Sequence, residues 1–324
     1  MNPVRSDLYN NNVASIRTFS LFLAILLVLA GGCTRQPITG QTSLKLKTTG
    51  ELQDYLSTHK PDLELFRLRG PFPVSVQTDH EIRLSANERI NSDLYLSAPP
   101  GIAPLVIFLH GYDSSKEAHA NQAMHVASWG MHCLTLQLPS SGAWSSNGMT
   151  LSRLVNLIHR SPEVIDSRID RNKIVLVGHS FGGSSVAIAL GDGAPAAGGI
   201  LLDPAAIGRD LTKFLQQIKK PVMVLGADEQ VAWARNRQFF FQYVRSGIAE
   251  ISIRNATHED AQYPSEFAVK NGADPHTTEE MQVTFVSAIT AAAVSLASTG
   301  ALDYAWTSFG PVIENGKFFN AKKK

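Results

Sequence analysis

Ile174-Val175-Leu176-Val177-Gly178-His179-Ser180-Phe181-Gly182-Gly183 decides how this chain is read. Four apolar residues run without interruption into Gly-x-Ser-x-Gly, and residues 183–191 continue as a helix-compatible stretch. Such a run predicts a strand buried on both faces. Strand, turn and helix in that order put Ser180 on the turn. Glycines two before and two after it let neighbouring backbone approach without a side-chain clash, so a strained turn can hold the serine at its tip. The five-residue pattern alone arises often by chance. Between a buried strand and a helix it makes Ser180 a candidate nucleophile.

Working outward, Pro104-Leu105-Val106-Ile107-Phe108-Leu109 is a second continuous apolar run, ending at His110-Gly111. Before it, residues 72–84 and 92–97 read as paired antiparallel strands. Strands are further expected over 131–138, 173–177, 199–202, 222–225 and 250–254. Helices are expected over 116–129, 150–165, 183–191, 209–218, 231–246 and 279–298. Regular alternation with short connections predicts parallel strands joined by right-handed crossovers, a three-layer α/β domain with helices on both faces. No internal repeat and no second domain is visible.

The strand–elbow–helix segment and the His110-Gly111-Tyr112 segment resemble those of the α/β-hydrolases, and the resemblance covers residues 72–298. It implies a serine hydrolase that cleaves carboxylic esters through an acyl-serine intermediate. Phe181 opens the helix after the serine, where unpaired amides and the helix dipole favour an oxyanion, so its N–H is one expected donor. His110-Gly111-Tyr112 looks like the family's second oxyanion segment, which assigns the Tyr112 N–H. His110 is expected to shape this loop. The fold's base follows the last strand, which selects His258 over His276, a histidine in a helix-start setting.

Two carboxylates end consecutive strands, Asp203 in Leu201-Leu202-Asp203-Pro204 and Asp228 in Leu225-Gly226-Ala227-Asp228-Glu229. The commoner family arrangement favours Asp228. Leu-Asp-Pro resembles the chlorophyllase segment, and the order Ser180, Asp203, His258 is similar to plasma-type platelet-activating-factor acetylhydrolases. This favours Asp203, with Asp228 the alternative acid and Glu229 behind both. The displaced aspartate has an ordinary role available as a helix cap or loop anchor. Dienelactone and polyester hydrolases belong to the same group, and the resemblance implies neither metal nor organic cofactor. A thioesterase, a peptidase and a cofactor-free perhydrolase share the triad, and an inactive binding module shares the fold.

Only one short helix separates the strand ending at Asp203 from the next, which leaves no room for a large lid. Trp144, in an expected loop over 139–149, is placed either at the rim of an open site or in edge packing. An open site suits small or polymeric ester substrates.

The first residues are of another kind. Arg5 and Arg17 precede an apolar run from Phe19 to Ala30, too short for a stable span and suited to a signal peptide. Leu29-Ala30-Gly31-Gly32-Cys33 resembles a bacterial lipobox, with Ala30 where that pattern more often has Leu. The resemblance implies lipidation of Cys33, and the alternative is a plain secretory signal cut nearby with Cys33 an incidental thiol. The expected organisation is a signal over 1–33, a tether with a short helix over 34–71, the hydrolase domain over 72–299 and a C-terminal tail over 300–324, whose basic run of Lys322, Lys323 and Lys324 is expected to be solvated. The protein is then expected outside the cytoplasm, lipid-anchored to a bacterial membrane and facing the periplasm or the exterior. Cys133 lies in an apolar stretch, so no disulfide is expected. Of 324 residues, 44% are hydrophobic and 18% charged, as in an ordered globular chain. Lys+Arg number 29 against Asp+Glu 28, a balance that carries no footprint for nucleic acid.

Overall fold

The strand over Ile169–His179 and its neighbours form the centre of one sheet. In this computed structural model the described residues are 40–98, 101–139, 144–207, 210–228, 232–264 and 277–324. Cys33 and the signal segment, His276 and Glu229 lie outside them. The strands are β1 (Val74–Arg83), β2 (Arg89–Ser97), β3 (Ala103–Leu109), β4 (His132–Leu136), β5 (Ile169–His179), β6 (Gly198–Leu202), β7 (Val222–Gly226), β8 (Ile248–Ile253) and β9 (Phe318–Lys323). Their order is β1-β2-β4-β3-β5-β6-β7-β8-β9. From β4 to β8 every pairing is parallel, whereas β1 and β2 at one edge and β9 at the other pair antiparallel.

The helices are α1 (Thr49–Thr58), α2 (Ala120–Ser128), α3 (Trp144–Arg160), α4 (Phe181–Gly191), α5 (Leu211–Gln217), α6 (Ala232–Tyr243), α7 (Glu279–Thr299) and α8 (Asp303–Glu314). Alternate residues of each central strand enter opposite cores. Val106, Phe108, Val175 and Val177 pack with α2, α7 and α8, while Leu105, Ile107, Ile174 and Leu176 pack with α3 and α4. All eight are fully buried, which is why these strands read as unbroken apolar runs. Burying each such side chain contributes about 1.5–3 kcal/mol. Helix α7 is long and apolar enough to cross a membrane, but 83% of its most apolar window is buried against the sheet, as in a core helix. Cys133 is a buried free thiol in β4.

Three expectations need correction. Helix α3 begins at Trp144 and ends at Arg160, earlier at both ends than expected. Pro162 stops it, because the residue before a proline is pushed out of the helical region. At its start, Trp144, Asn147, Gly148 and Leu151 form one buried face, so packing on α4 overrides a polar, loop-like composition. A Cβ on Gly148 would sit 2.6 Å from Ile188 Cβ, a measure of how closely the two helices approach. Residues 300–324 are not a tail, since α8 packs on the core through Phe309 and β9 extends the sheet beside β8. Nor is all of 34–71 a tether. Leu52, Leu56 and Phe66 are buried in the main core, and Gln41 bridges to Arg69. Residues 40–71 thus belong to the same compact unit as the sheet.

Candidate active site

Ser180 follows β5 directly, with φ 53° and ψ −118°. A non-glycine residue in that region is strained, and the surroundings hold it there. Its N–H donates to the Leu202 carbonyl at 3.0 Å, and its own carbonyl accepts from Gly183 and Ala205, both at 3.0 Å. A Cβ on Gly178 would overlap the Gly182 carbonyl, and one on Gly182 would sit 2.6 Å from the carbonyl oxygens of Leu109 and His110. The glycines thus allow β5, the turn and the loop after β3 to close on one point.

That loop carries Gly111 and Tyr112. A Cβ on Gly111 would lie 3.0 Å from Ser180 Cβ, so the His110-Gly111-Tyr112 segment rests against the serine. His110 is buried and shapes the loop. Leu138 N–H donates to its Nε2 at 3.1 Å, which leaves Nδ1–H to donate to the Gly111 carbonyl at 2.8 Å. The Phe181 amide lies in the first turn of α4, where N–H groups have no partner within the helix. Tyr112 is 64% exposed, and its ring meets the Phe181 ring edge-on at 5.9 Å. Trp144 is buried behind Phe181 at 4.9 Å, which gives it the edge-packing role rather than a place on the rim.

Beyond β8, a turn through Asn255 at φ 62° leads to His258. Thr257 N–H and Oγ1–H donate to Asp260 Oδ2 at 2.7 and 3.0 Å, and Asp260 Oδ1 accepts from Thr278 N–H at the start of α7. The histidine is therefore held on a pinned loop. Its Nδ1 lies 2.6 Å from Asp203 Oδ2, with the histidine side chain 12% exposed and the carboxylate fully buried. Asp203 stands just past β6 with φ 35°, a left-handed turn that aspartate tolerates better than most residues.

Asp228 does something else. Its Oδ2 accepts the Asn255 N–H at 2.7 Å, and its own N–H donates to the Ala256 carbonyl at 2.8 Å. It ties the end of β7 to the turn that carries His258. Of the two strand-end carboxylates, Asp203 meets the imidazole and Asp228 anchors its loop.

Two further residues escaped sequence reasoning. His179 is buried beside the serine, its Nε2–H donating to the His258 carbonyl at 3.1 Å and its ring 4.4 Å from the His258 ring. Burial, with the neighbouring His258 and His119, keeps its pKa well below the ordinary value, so it stays neutral. Its place inside Gly-x-Ser-x-Gly was the one available signal. Arg237, on α6, is 3% exposed and ion-pairs through Nη1 with Asp203 Oδ1, which also accepts the Ala227 N–H at 3.1 Å. Burial pushes the Asp203 carboxyl up, yet the hydrogen bond and charge of His258 and the charge of Arg237 hold it below the usual carboxylate range. Nothing in the sequence around Arg237 distinguishes it from the exposed arginines. Among the described residues no cluster of His, Cys, Asp and Glu is arranged to hold a metal.

Comparison with known proteins places the fold in a family. The chain is 26% identical over 211 residues to Cutinase 1 of Thermobifida cellulosilytica, covering 62% of this chain and 77% of that protein. It is 26% identical over 211 residues to the cutinase of Thermobifida fusca (strain YX), covering 62% of this chain and 67% of that protein. A family profile described as Alpha/beta hydrolase family matches residues 106–311, from the strand before the Gly111 loop to the last helix. With more than half its length matched and the parallel sheet and serine elbow in place, the chain belongs to the Alpha/beta hydrolase family.

Proposed function

We propose that this protein is a carboxylic-ester hydrolase working through an acyl-serine intermediate, with Ser180 as nucleophile, His258 as base and Asp203 as the orienting acid. The observation that carries the reading is the 2.6 Å contact between His258 Nδ1 and a wholly buried Asp203 carboxylate, on a loop that packs against His179, the residue before Ser180. An ionised carboxylate only accepts, so Nδ1 bears the proton and Nε2 keeps the lone pair that can remove one from a hydroxyl. As Ser180 attacks the ester carbonyl, the proton moves to His258 Nε2. The new oxyanion is held by the amides of Phe181 and Tyr112, and the imidazolium is supported by Asp203. His258 then protonates the leaving alcohol. Water, deprotonated by the same nitrogen, releases the acid and restores the serine.

The cutinase likeness favours an ester substrate, and the exposed Tyr112 ring beside Phe181 suits an acyl group lying on an open aromatic surface. The reading requires no metal or organic cofactor. We place the protein outside the cytoplasm, anchored through a lipid on Cys33 after removal of residues 1–32, on the strength of the lipobox-like sequence.

A fluorophosphonate probe on the purified protein tests the central claim. Labelling should occur and should vanish in Ser180→Ala. A folded protein that resists the probe removes the hydrolase reading in favour of an inactive binding module. A panel of esters, thioesters and peptides of graded acyl length then fixes the bond and chain length preferred. Globomycin treatment of expressing bacteria, with accumulation of the uncleaved form, checks the anchor.

A further inference from the structure

We infer that Arg237 is a positioning residue that sets the pH range of the site, fixing one oxygen of Asp203 and cancelling part of that carboxylate's hold on the His258 proton. The inference rests on the triad reading above. Besides His258, Asp203 accepts the backbone amide of Ala227. Here a guanidinium is added. It meets Oδ1 while His258 takes Oδ2, so the two sides of one buried carboxylate face two cationic or potentially cationic groups.

The arrangement is built into the sheet. The arginine side chain crosses the end of β7 at Gly226, where a Cβ would overlap its Cδ and Nε. Both members of the ion pair are almost wholly shielded from water, so their interaction is little screened. Further ionisable groups among the described residues lie nearby. Glu250 on β8 is buried and within the field of Arg237, and Lys322 on β9 sits 3.4 Å from its Oε2, so this carboxylate has a cation of its own. His179 lies against His258 and is neutral. Arg237, Asp203 and His258 thus stand as a cation, an anion and an imidazole in series.

The sign of the effect follows from charge alone. Aspartate and histidine share one titrating proton, and its affinity belongs to the pair. A fixed positive charge in contact with the pair lowers that affinity, wherever the proton resides. His258 therefore becomes a free base at a lower pH than it would beside an unpaired aspartate, and hydrolysis persists further into the acid range. The same charge weakens the support that Asp203 gives the imidazolium, so the gain on the acid side is set against the rate at higher pH.

The test is the dependence of kcat/KM on pH for p-nitrophenyl butyrate, across about pH 5 to 9, whose acid limb reports the base in the free enzyme. Arg237→Gln and Arg237→Met should each move that limb upward by about one pH unit. Methionine retains the stem's bulk in case glutamine does not fold. Arg237→Lys keeps the charge and should keep the limb near its wild-type position, even if altered geometry slows turnover. An unmoved limb in a folded neutral variant, or an equal shift in the lysine variant, overturns the inference. Ser180→Ala serves as the control: if it still reacts with a fluorophosphonate the triad itself is wrong, whereas an inert Ser180→Ala with an unmoved limb in the arginine variants overturns this inference alone.

Discussion

Asp203 and Asp228 stand at the ends of neighbouring parallel strands, β6 and β7, and each is in contact with the segment that carries His258. Asp203 is fully buried, turns left-handed at φ 35° and gives both its oxygens to side chains, His258 and Arg237. Asp228 is half-buried, and its carboxylate receives a backbone amide of the turn before His258. The same residue type at the same edge of the sheet thus meets the imidazole in one case and anchors its loop in the other. The difference is in the partners: one carboxylate binds a group that changes charge during the proposed reaction, and the other binds one that never does.

Removing the carboxylate of Asp203 should have the largest effect. Asp203→Asn is expected to lower kcat by about 10⁴, the loss found when a triad imidazole is left in the wrong tautomer. Steady-state hydrolysis of a short-chain ester measures it. A loss of tenfold or less would end the case for Asp203 as the acid.

The same substitution should also destabilise the protein, because Arg237 is left buried without its counter-ion. The expected cost is about 3 kcal/mol in denaturant unfolding. Adding Arg237→Met should recover most of that stability and none of the turnover. If the double variant is no more stable than Asp203→Asn alone, the ion pair is not what holds this part of the structure.

Acid titration of stability provides a background common to both aspartates. Burial depresses His119, His125 and His132 to a pKa of about 4. The unfolded chain binds these protons from about pH 6.5 downward and the folded protein does not, so stability falls as pH drops from about 6.5 to 4, by about 1.4 kcal/mol per unit per histidine. His132, with neither ring nitrogen hydrogen-bonded, is the site to probe, and His132→Leu should flatten the slope by one such increment. Asp203 acts at lower pH. Its depressed carboxyl contributes stability that is present above its unfolded pKa of about 3.9 and lost as pH falls through the folded value. Between about pH 4 and 6.5 the curve of Asp228→Asn should therefore run parallel to that of the parent, whereas Asp203→Asn also alters the proton that His258 shares with it. Divergence of Asp228→Asn from the parent in that window would mean that the substitution disturbs the buried histidines.

Asp228→Asn should do least. The amide oxygen can still accept the Asn255 N–H, so stability should fall by no more than about 1 kcal/mol and kcat should stay within about tenfold of the parent. A greater loss of turnover with normal unfolding would show that the turn under His258 must be held more tightly than one hydrogen bond implies.

Much of this site is legible in the sequence. Ser180 could be read because strand, turn and helix are encoded by adjacent residues, and the backbone they produce is the one observed. The central strands could be read because burial on both faces demands unbroken apolar runs. His258 was found from its place after the last expected strand, a rule of the family rather than of its neighbours. Trp144 was misplaced because the polar residues after it look like a loop until α4 is packed against them. Phe318-Phe319-Asn320-Ala321-Lys322-Lys323 reads as a tail because it is short and ends in a basic run, and only its pairing with β8 makes it a strand. Lysines there protect an exposed sheet edge, and Lys322 also pairs with Glu250.

The sequence by itself determined the parallel α/β sheet, the serine on its elbow and the short list from which the other groups come. Tertiary structure alone decided which aspartate meets His258, that Arg237 lies on its far side, and that residues 300–324 complete the sheet. The reason is separation along the chain. The Asp203–His258 contact joins residues 55 apart and the Asp203–Arg237 contact residues 34 apart. Strand order and register bring such groups together, and these emerge only when all the strands have packed.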